Sequence, residues 1–405
     1  MTVLGAPRVM VLSLRPWLGA PRLPKAFARA GFEVHTLSYR NSPLCRSRYS
    51  NRQFFLPDLP SDEALIAATR AVLVEQRPTL VVPTDDSSVE LLQAVAATAR
   101  RELPESDPLL QTLRDSLGDF GQHAVLRQRY GLAQLAAEIG VRAPAFAVIH
   151  DRPEALAFAA QNGFPVVLKA EESVAGMGVS ICKDEAELDA ALTRHEAFNP
   201  RLFREGTVLQ SFVSGPTALR AVLAWRGQVL GGLSAIKRET HPHATGPSSV
   251  VEFIEQPEMM RTAQAMVRAL GFSGFASLDF ILDESGSAHL IELNARPTPI
   301  CHLGHYLGRD LCQALRDALD GKAVVDCDPP GLPKKVALFP QEWVRDQSSP
   351  HFAHAFHDVP WDEPDLVEAF VLAARSQMRG SEWRREEDRR DRLRQLLTRL
   401  AAPGA

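Results

Sequence analysis

The sequence has no C-x-x-C pair, no internal repeat, no apolar run near the length of a membrane helix, and no strong excess of charge of either sign. Its 5 cysteines, Cys45, Cys182, Cys301, Cys312 and Cys327, are scattered and odd in number. That spacing argues against a disulfide framework and for reduced thiols, so a cytoplasmic protein is expected. Residues Met1 to Met10 lack the apolar stretch of a secretory leader, and nothing later approaches the ~18 residues of a membrane span. The formal charge of −4 leaves no broad positive field for nucleic acid or anionic lipid, so neither is expected as a partner and any phosphate binding must be local. After the first apolar strand the turn reads Arg15-Pro-Trp-Leu-Gly-Ala20 with a single glycine, where a dinucleotide site would need G-x-G-x-x-G. NAD binding is therefore disfavoured.

What is present is the composition of an ordinary globular protein, 45% hydrophobic and 23% charged, over 405 residues, enough for two or three domains. The strand Arg8–Leu14, a helical segment around Leu23 to Ala30 and the strand Phe32–Leu37 form a strand, helix, strand unit, which predicts a parallel sheet. A further strand, Thr79–Pro83, leads into Thr84-Asp-Asp-Ser-Ser-Val-Glu90. There Ser87 and Glu90 have capping-box spacing, and Asp85 and Asp86 read as helix-start residues before they read as a catalytic pair. A helix around Tyr130 to Ile139 ends at Gly140. From Phe164 to about Gly321 short strands in hairpins alternate with helices, the pattern of an α+β region.

These signals place an N-terminal α/β domain over 1–117, a second domain over 118–321 with a lid subdomain at about 140–210, and a C-terminal extension over 322–405. In the extension a strand is expected over Lys335–Phe339. Its end, Arg379 to Leu400, holds 8 Arg against 5 acidic residues with Leu393, Leu396, Leu397 and Leu400 on one face, the pattern of a docked surface helix. His351, His354 and His357 invite a zinc reading, but no Cys or second ligand motif lies nearby.

Two elements carry chemistry. In the first, Ser277–Leu282 and Ala288–Pro297 flank the turn Asp283-Glu-Ser-Gly-Ser287, a β-hairpin. Glu292 and Asn294 share a strand face, and a turn centred near Ser285 brings Asp279 opposite them. Two carboxylates and an amide suit Mg²⁺, which takes its remaining ligands from water and substrate phosphates, and Arg296 follows at the next step of two with a bidentate cation. A solvated surface hairpin would show the same pattern. In the second element, the apolar strand Phe164–Ala170 ends on Lys169 and leads through Gly176-Met177-Gly178 into a return strand, Ser180–Cys182. Backbone N–H groups of a Gly-x-Gly turn approach phosphate oxygens closely, although a plain flexible turn reads the same way.

Together, and in this order, the two elements resemble the ATP-grasp superfamily. The resemblance spans about residues 118–321 and is nearest to the carbamoyl-phosphate-synthase-like carboxylate–amine ligases. It implies an N-terminal parallel-sheet α/β domain ahead of a two-subdomain ATP-grasp fold. It also implies ATP and Mg²⁺, with two ions and Mn²⁺ as a substitute, small-molecule carboxylate and amine substrates such as amino acids or small peptides, and room for a homodimer. In that resemblance Lys169, with Gly176, Met177 and Gly178, clamps the phosphates, and Asp279, Glu292 and Asn294 hold the metal. Arg296 binds the transferred phosphoryl group. Arg129 stands where members carry another ATP-binding cation. Gln210, Ser211, Phe212 and Val213 match the segment that reads adenine, with Thr217 at the ribose; Ser211 and Thr217 replace the acidic residues common there. The polar stretch Lys237–Ser249 reads as a binding loop, with Lys237 and Arg238 offering charge to phosphate or substrate, and His302 and His305 as residues of the acceptor pocket. The implied reaction is ADP-forming carboxylate–amine ligation. A kinase on the same fold and a catalytically silent ATP-binding regulator are the alternatives.

Overall fold

The computed structural model describes residues 5–15, 19–58, 61–127, 129–169, 179–199, 202–242 and 246–377. Gly176, Met177, Gly178 and the Arg-rich segment 379–400 lie outside the described residues, as does the side chain of Arg129.

The chain forms three sheets. Strands β1 (Arg8–Ser13), β2 (Glu33–Ser38), β3 (Arg52–Phe55) and β4 (Leu80–Pro83) pair in parallel in the order β3-β2-β1-β4. The run Val9 to Leu12 is fully buried, as a strand covered on both faces requires. Four antiparallel strands follow, β5 (Phe146–Ile149), β6 (Val166–Lys169), β7 (Val179–Cys182) and β8 (Thr207–Ser211), in the order β5-β8-β6-β7. The third sheet has seven strands: β9 (Thr217–Trp225), β10 (Gln228–Thr240), β11 (Ser248–Phe253), β12 (Gly274–Leu282), β13 (Ala288–Asn294), β14 (Lys334–Ala337) and β15 (Phe356–His357). Its order is β13-β12-β9-β10-β11-β14-β15. The expected parallel-sheet α/β unit ahead of an α+β region is therefore observed. Strand β14 begins at Lys334 and ends at Ala337, two residues short of the expected end.

Alternation along β12 decides which residues reach the site. Ala276, Leu278, Phe280 and Leu282 pack with Met259, Ala263 and Met266 of the Pro257–Ala269 helix, which turns Asp279 and Ile281 to the opposite face. That face looks toward the N-terminal unit. One apolar cluster joins Phe27 and Leu80 of that unit to Leu219, Leu223 and Phe275 of the large sheet, with Phe27 edge-on to Phe275 at 6.1 Å.

The helix Asp86–Glu102 starts two residues earlier than the Ser87–Glu90 spacing predicts, because Asp85 is the N-cap. Its carboxylate accepts from Ser88 N at 2.9 Å and also from Leu14 N at 3.0 Å and Arg15 N at 3.2 Å. A capping Ser87 hydroxyl has no such reach across to β1, so Asp85 wins the position and ties the ends of β1 and β4 together.

The segment after residue 322 is held by buried ion pairs. Arg220 is fully buried on β9 and donates to Asp326 at 2.7 Å, to Asp328 at 2.8 Å and to Ser234 at 2.7 Å. Gly232 on β10 leaves room for it, since a Cβ there would lie 2.7 Å from the guanidinium. Further on, Asp358 accepts from Arg22 at 2.6 Å and pairs with His302 at 2.7 Å, while Glu363 accepts from Ser47 at 2.7 Å. Replacing Arg220 strands two buried carboxylates, so Arg220→Met is expected to lower unfolding stability by about 3 kcal/mol or more. Urea denaturation checks this; a loss under about 1 kcal/mol would show that the arginine is dispensable to the fold.

Candidate active site

A cavity of about 570 Å³ opens where the three sheets meet. That volume is in the range of pockets that enclose a cofactor-sized ligand. Its lining is of two kinds. One is an apolar slot walled by Ala136, Val167, Ile181, Ile281 and Leu290 beside the Gln210–Val213 segment. The other is crowded with charge.

Strands β12 and β13 supply the floor. Their register sets Asp279 opposite Glu292 and Ser277 opposite Asn294, with an irregularity just after the Asp279 pair. The expected convergence of Asp279, Glu292 and Asn294 on one cavity is thus observed. Among the described residues no three His, Cys, Asp or Glu side chains group to hold a metal. The hairpin offers two carboxylates and one carboxamide instead, a set of hard oxygens that fits an ion drawing its other ligands from phosphate and water.

Cations surround this set. Lys169, at the end of β6, reaches across from the four-stranded sheet and donates to the Ile291 carbonyl at 3.2 Å. Lys237 on β10 pairs with Asp279 at 2.8 Å, both side chains nearly buried. Arg296, one step past β13, donates to Asp86 at 2.8 Å and to Asn294 Oδ1 at 3.3 Å. Thr217, Ser211, Gln210, Phe212 and Val213 all line the cavity.

Arg238, His302 and His305 do not. Lys237–Thr240 is the end of strand β10 and not a loop, so consecutive side chains diverge. Arg238 accordingly points away from the cavity, half exposed and paired with Glu252 at 2.8 Å. His302 is buried against Asp358, and His305 is exposed beside Asp310, so neither lines the pocket. His351 pairs with Glu239 at 3.4 Å and His357 lies on β15. Arg129 begins the helix Arg129–Glu138, whose Leu132, Ala133 and Ala136 line the apolar slot.

The cavity residues that were not among the sequence candidates for the site include Arg15, Asp86, Glu90, Gln93 and Arg127. A signal existed for three of them, since Asp86, Glu90 and Gln93 stand at i, i+4 and i+7 on a helix whose neighbouring positions, Val89, Leu91, Leu92 and Ala94 to Ala97, are apolar. Arg127 donates to Gln93 at 3.0 Å.

Three comparisons bear on this geometry. Residues 128–221 match the family model for the ATP binding domain of the carbamoyl-phosphate synthase L chain. The D-alanine–D-alanine ligase of Nitrosospira multiformis is 30% identical over 171 residues, which is 40% of this chain and 54% of that protein. The chain therefore spans about half the length of that relative. Among solved structures, the biotin carboxylase domain of Hydrogenobacter thermophilus 2-oxoglutarate carboxylase, in complex with MgADP, ADP and bicarbonate, matches with a TM-score of 0.60 at 17% identity, covering 78% of this chain and 70% of that one. The L-amino acid ligase of Bacillus licheniformis matches with a TM-score of 0.53 at 20% identity, covering 78% and 75%.

Two residues past Ile300, which lines the cavity, His302 belongs to a buried cluster with Asp358 and Arg22 that is sensitive to acid. Burial holds the His302 imidazole below its usual value of 6.5, with Asp358 opposing that shift. Arg22 already neutralises Asp358, so a protonated His302 would be an uncompensated buried charge. A lowered folded-state value means the unfolded chain takes up the proton first, so stability is full above pH 6.5 and falls as pH drops below it. His302→Gln is expected to flatten the stability-against-pH curve below pH 6.5, read by melting temperature across a pH series; an unchanged slope would remove His302 from the acid response.

Proposed function

We propose that this chain, whose fold is the ATP-grasp fold, is an ADP-forming ligase that activates a carboxylate as an acyl phosphate and couples it to an amine. The observation that carries this reading is the meeting of Asp279, Glu292 and Asn294 from one hairpin with Lys169 of β6, Lys237 of β10 and Arg296 just past β13 around one cavity. The ligases found among the relatives and the MgADP named for the Hydrogenobacter domain support it.

In this reading the apolar slot takes the adenine, and the Gln210–Val213 segment and Thr217 border the base and ribose. Lys169 and the cations opposite receive the phosphates. Asp279, Glu292 and Asn294 hold magnesium, as two ions with Mn²⁺ able to substitute. When bound, the metal offsets charge on the phosphate oxygens. Arg296, steadied by Asp86 and Asn294, presents a guanidinium to the transferred phosphoryl group.

A carboxylate oxygen of the substrate attacks the γ-phosphorus, the bond to the β-phosphate oxygen breaks, and ADP and an acyl phosphate result. An amine nitrogen then attacks the acyl carbon and loses a proton, and inorganic phosphate leaves with the other electron pair. No protein nucleophile is needed, because the work is positioning and charge neutralisation. The partners are small molecules, a carboxylate and an amine, and a homodimer is the assembly to test first.

Products separate this reading from a kinase or a silent binder. Enzyme, MgATP and a panel of carboxylic acids are incubated with hydroxylamine, and phosphorus species and hydroxamate are followed by NMR and mass spectrometry. Hydroxamate formed in step with ADP is expected; a stable phosphorylated metabolite would overturn the reading in favour of a kinase. Glu292→Gln and Asn294→Ala are expected to cut turnover at least about a hundredfold with the melting temperature kept, since each removes a metal ligand from the charge-stabilising site. Retained turnover in both would dismiss the hairpin. Lys169→Met is expected to weaken binding of a non-hydrolysable ATP analogue about tenfold or more in calorimetry, the loss of one charge-assisted contact. Unchanged affinity would return Lys169 to a structural role.

A further inference from the structure

The hairpin oxygens that suit a metal are engaged by the chain's own donors. Asp279 Oδ2 accepts from Lys237 Nζ at 2.8 Å, and Asp279 Oδ1 accepts from the Ser277 hydroxyl at 3.3 Å. Asn294 Oδ1, the amide atom able to ligate a hard cation, accepts from an outer nitrogen of Arg296 at 3.3 Å. Lys237 lies on β10 and Asp279 on β12, with β9 between them. Two strand spacings come to about 10 Å, a reach that only a long side chain makes.

Charge decides what this arrangement does. Lys169, Lys237 and Arg296 meet Asp279 and Glu292 at the hairpin, and Asp86, which shares Arg296, brings the carboxylates level with the cations. A free divalent ion therefore finds no net negative charge to draw it in. The side chains of Lys237 and Asp279 are 13% and 14% exposed, so water screens them little. An ion at coordination distance from Asp279 stands beside the Lys237 ammonium, and two cations that close in a largely buried site repel strongly. A polyphosphate changes both terms, because its oxygens supply the missing negative charge and give the ammonium another partner.

We propose that Lys237 stands in for the metal at Asp279: the ammonium and a divalent cation compete for this carboxylate, so the hairpin takes up the metal together with a polyphosphate and not by itself. The proposal rests on the metal-site part of the reading above and deepens it. The lysine that turns to a phosphate uncovers the carboxylate, so metal and polyphosphate strengthen each other's binding through one side chain.

The test measures Mn²⁺ binding by electron paramagnetic resonance, first without nucleotide and then with a non-hydrolysable ATP analogue. It compares wild type, Lys237→Met, Lys237→Arg and the double variant Lys237→Met with Asp279→Asn, with folding checked by circular dichroism. Wild type is expected to bind Mn²⁺ alone with a Kd above about 0.1 mM, as befits carboxylates that rely on substrate phosphates to complete the site. Lys237→Met is expected to tighten binding of Mn²⁺ alone about tenfold or more, through removal of the neighbouring cation. Lys237→Arg, which keeps the charge, is expected to stay within about threefold of wild type, and the double variant to lose the tightening. With the analogue, wild type is expected to hold Mn²⁺. A wild type that binds Mn²⁺ alone below that Kd overturns the proposal even where a variant fails to fold. Unchanged affinity in folded Lys237→Met, a matching gain in Lys237→Arg, or a gain that survives Asp279→Asn overturns it too. In each of these cases Mn²⁺ held with the analogue leaves the ligase reading intact. No protein-bound Mn²⁺ even with the analogue overturns the proposal and the ligase reading together.

Discussion

The pairing of Asp279 with Glu292 across β12 and β13 is the constraint on which the site depends. A slip of one residue along β13 would carry Glu292 and Asn294 to the face packed by Leu278 and Phe280 and set Leu293, which packs against that core, in their place. The register is fixed from behind by the apolar partners of the Pro257–Ala269 helix, so the core and the cavity face specify each other. It also sets the Ile291 carbonyl where Lys169 meets it, a hydrogen bond that reaches from one sheet to another.

That hairpin was legible in the sequence because period-two alternation and turn chemistry are local properties. Asp279, Glu292 and Asn294 follow from counting residues around Ser285, and Lys169 from its place at the end of an apolar strand. Arg238 and the two histidines were misplaced for the opposite reason. A polar, turn-like composition hid the continuation of β10, and only strand geometry separates Lys237 from Arg238. His302 looked like a pocket residue by its nearness to Arg296 in sequence, but its partner Asp358 lies 56 residues later, which no local pattern reveals.

The N-terminal unit's share of the site was hidden in the same way. Capping chemistry explained Asp85 and Asp86 well enough to stop there, and it is correct for Asp85. Asp86 differs because the large sheet, 210 residues further on, delivers Arg296 to it. A helix-start carboxylate and a binding-site carboxylate share one sequence signature, and tertiary contact alone tells them apart.

The charges in the cavity are held in pairs drawn from different parts of the chain: Lys237 with Asp279, Arg296 with Asp86, Arg127 with Gln93. Pairing fixes side chains that would otherwise lose rotamer freedom when a ligand arrives, so less of the binding energy goes into ordering them. It also makes the cations exchangeable. A polyphosphate entering beside the hairpin offers Lys237 a new anionic partner while a bound cation offers Asp279 another, so the pair opens without leaving either charge uncompensated. The pair between Arg296 and Asp86 is made through Nε while an outer nitrogen meets Asn294, and a guanidinium carries five N–H donors in a fixed fork, so one side chain can hold several acceptors at once. One contact can therefore hold the N-terminal unit against the large sheet and orient a cation toward the ligand at the same time.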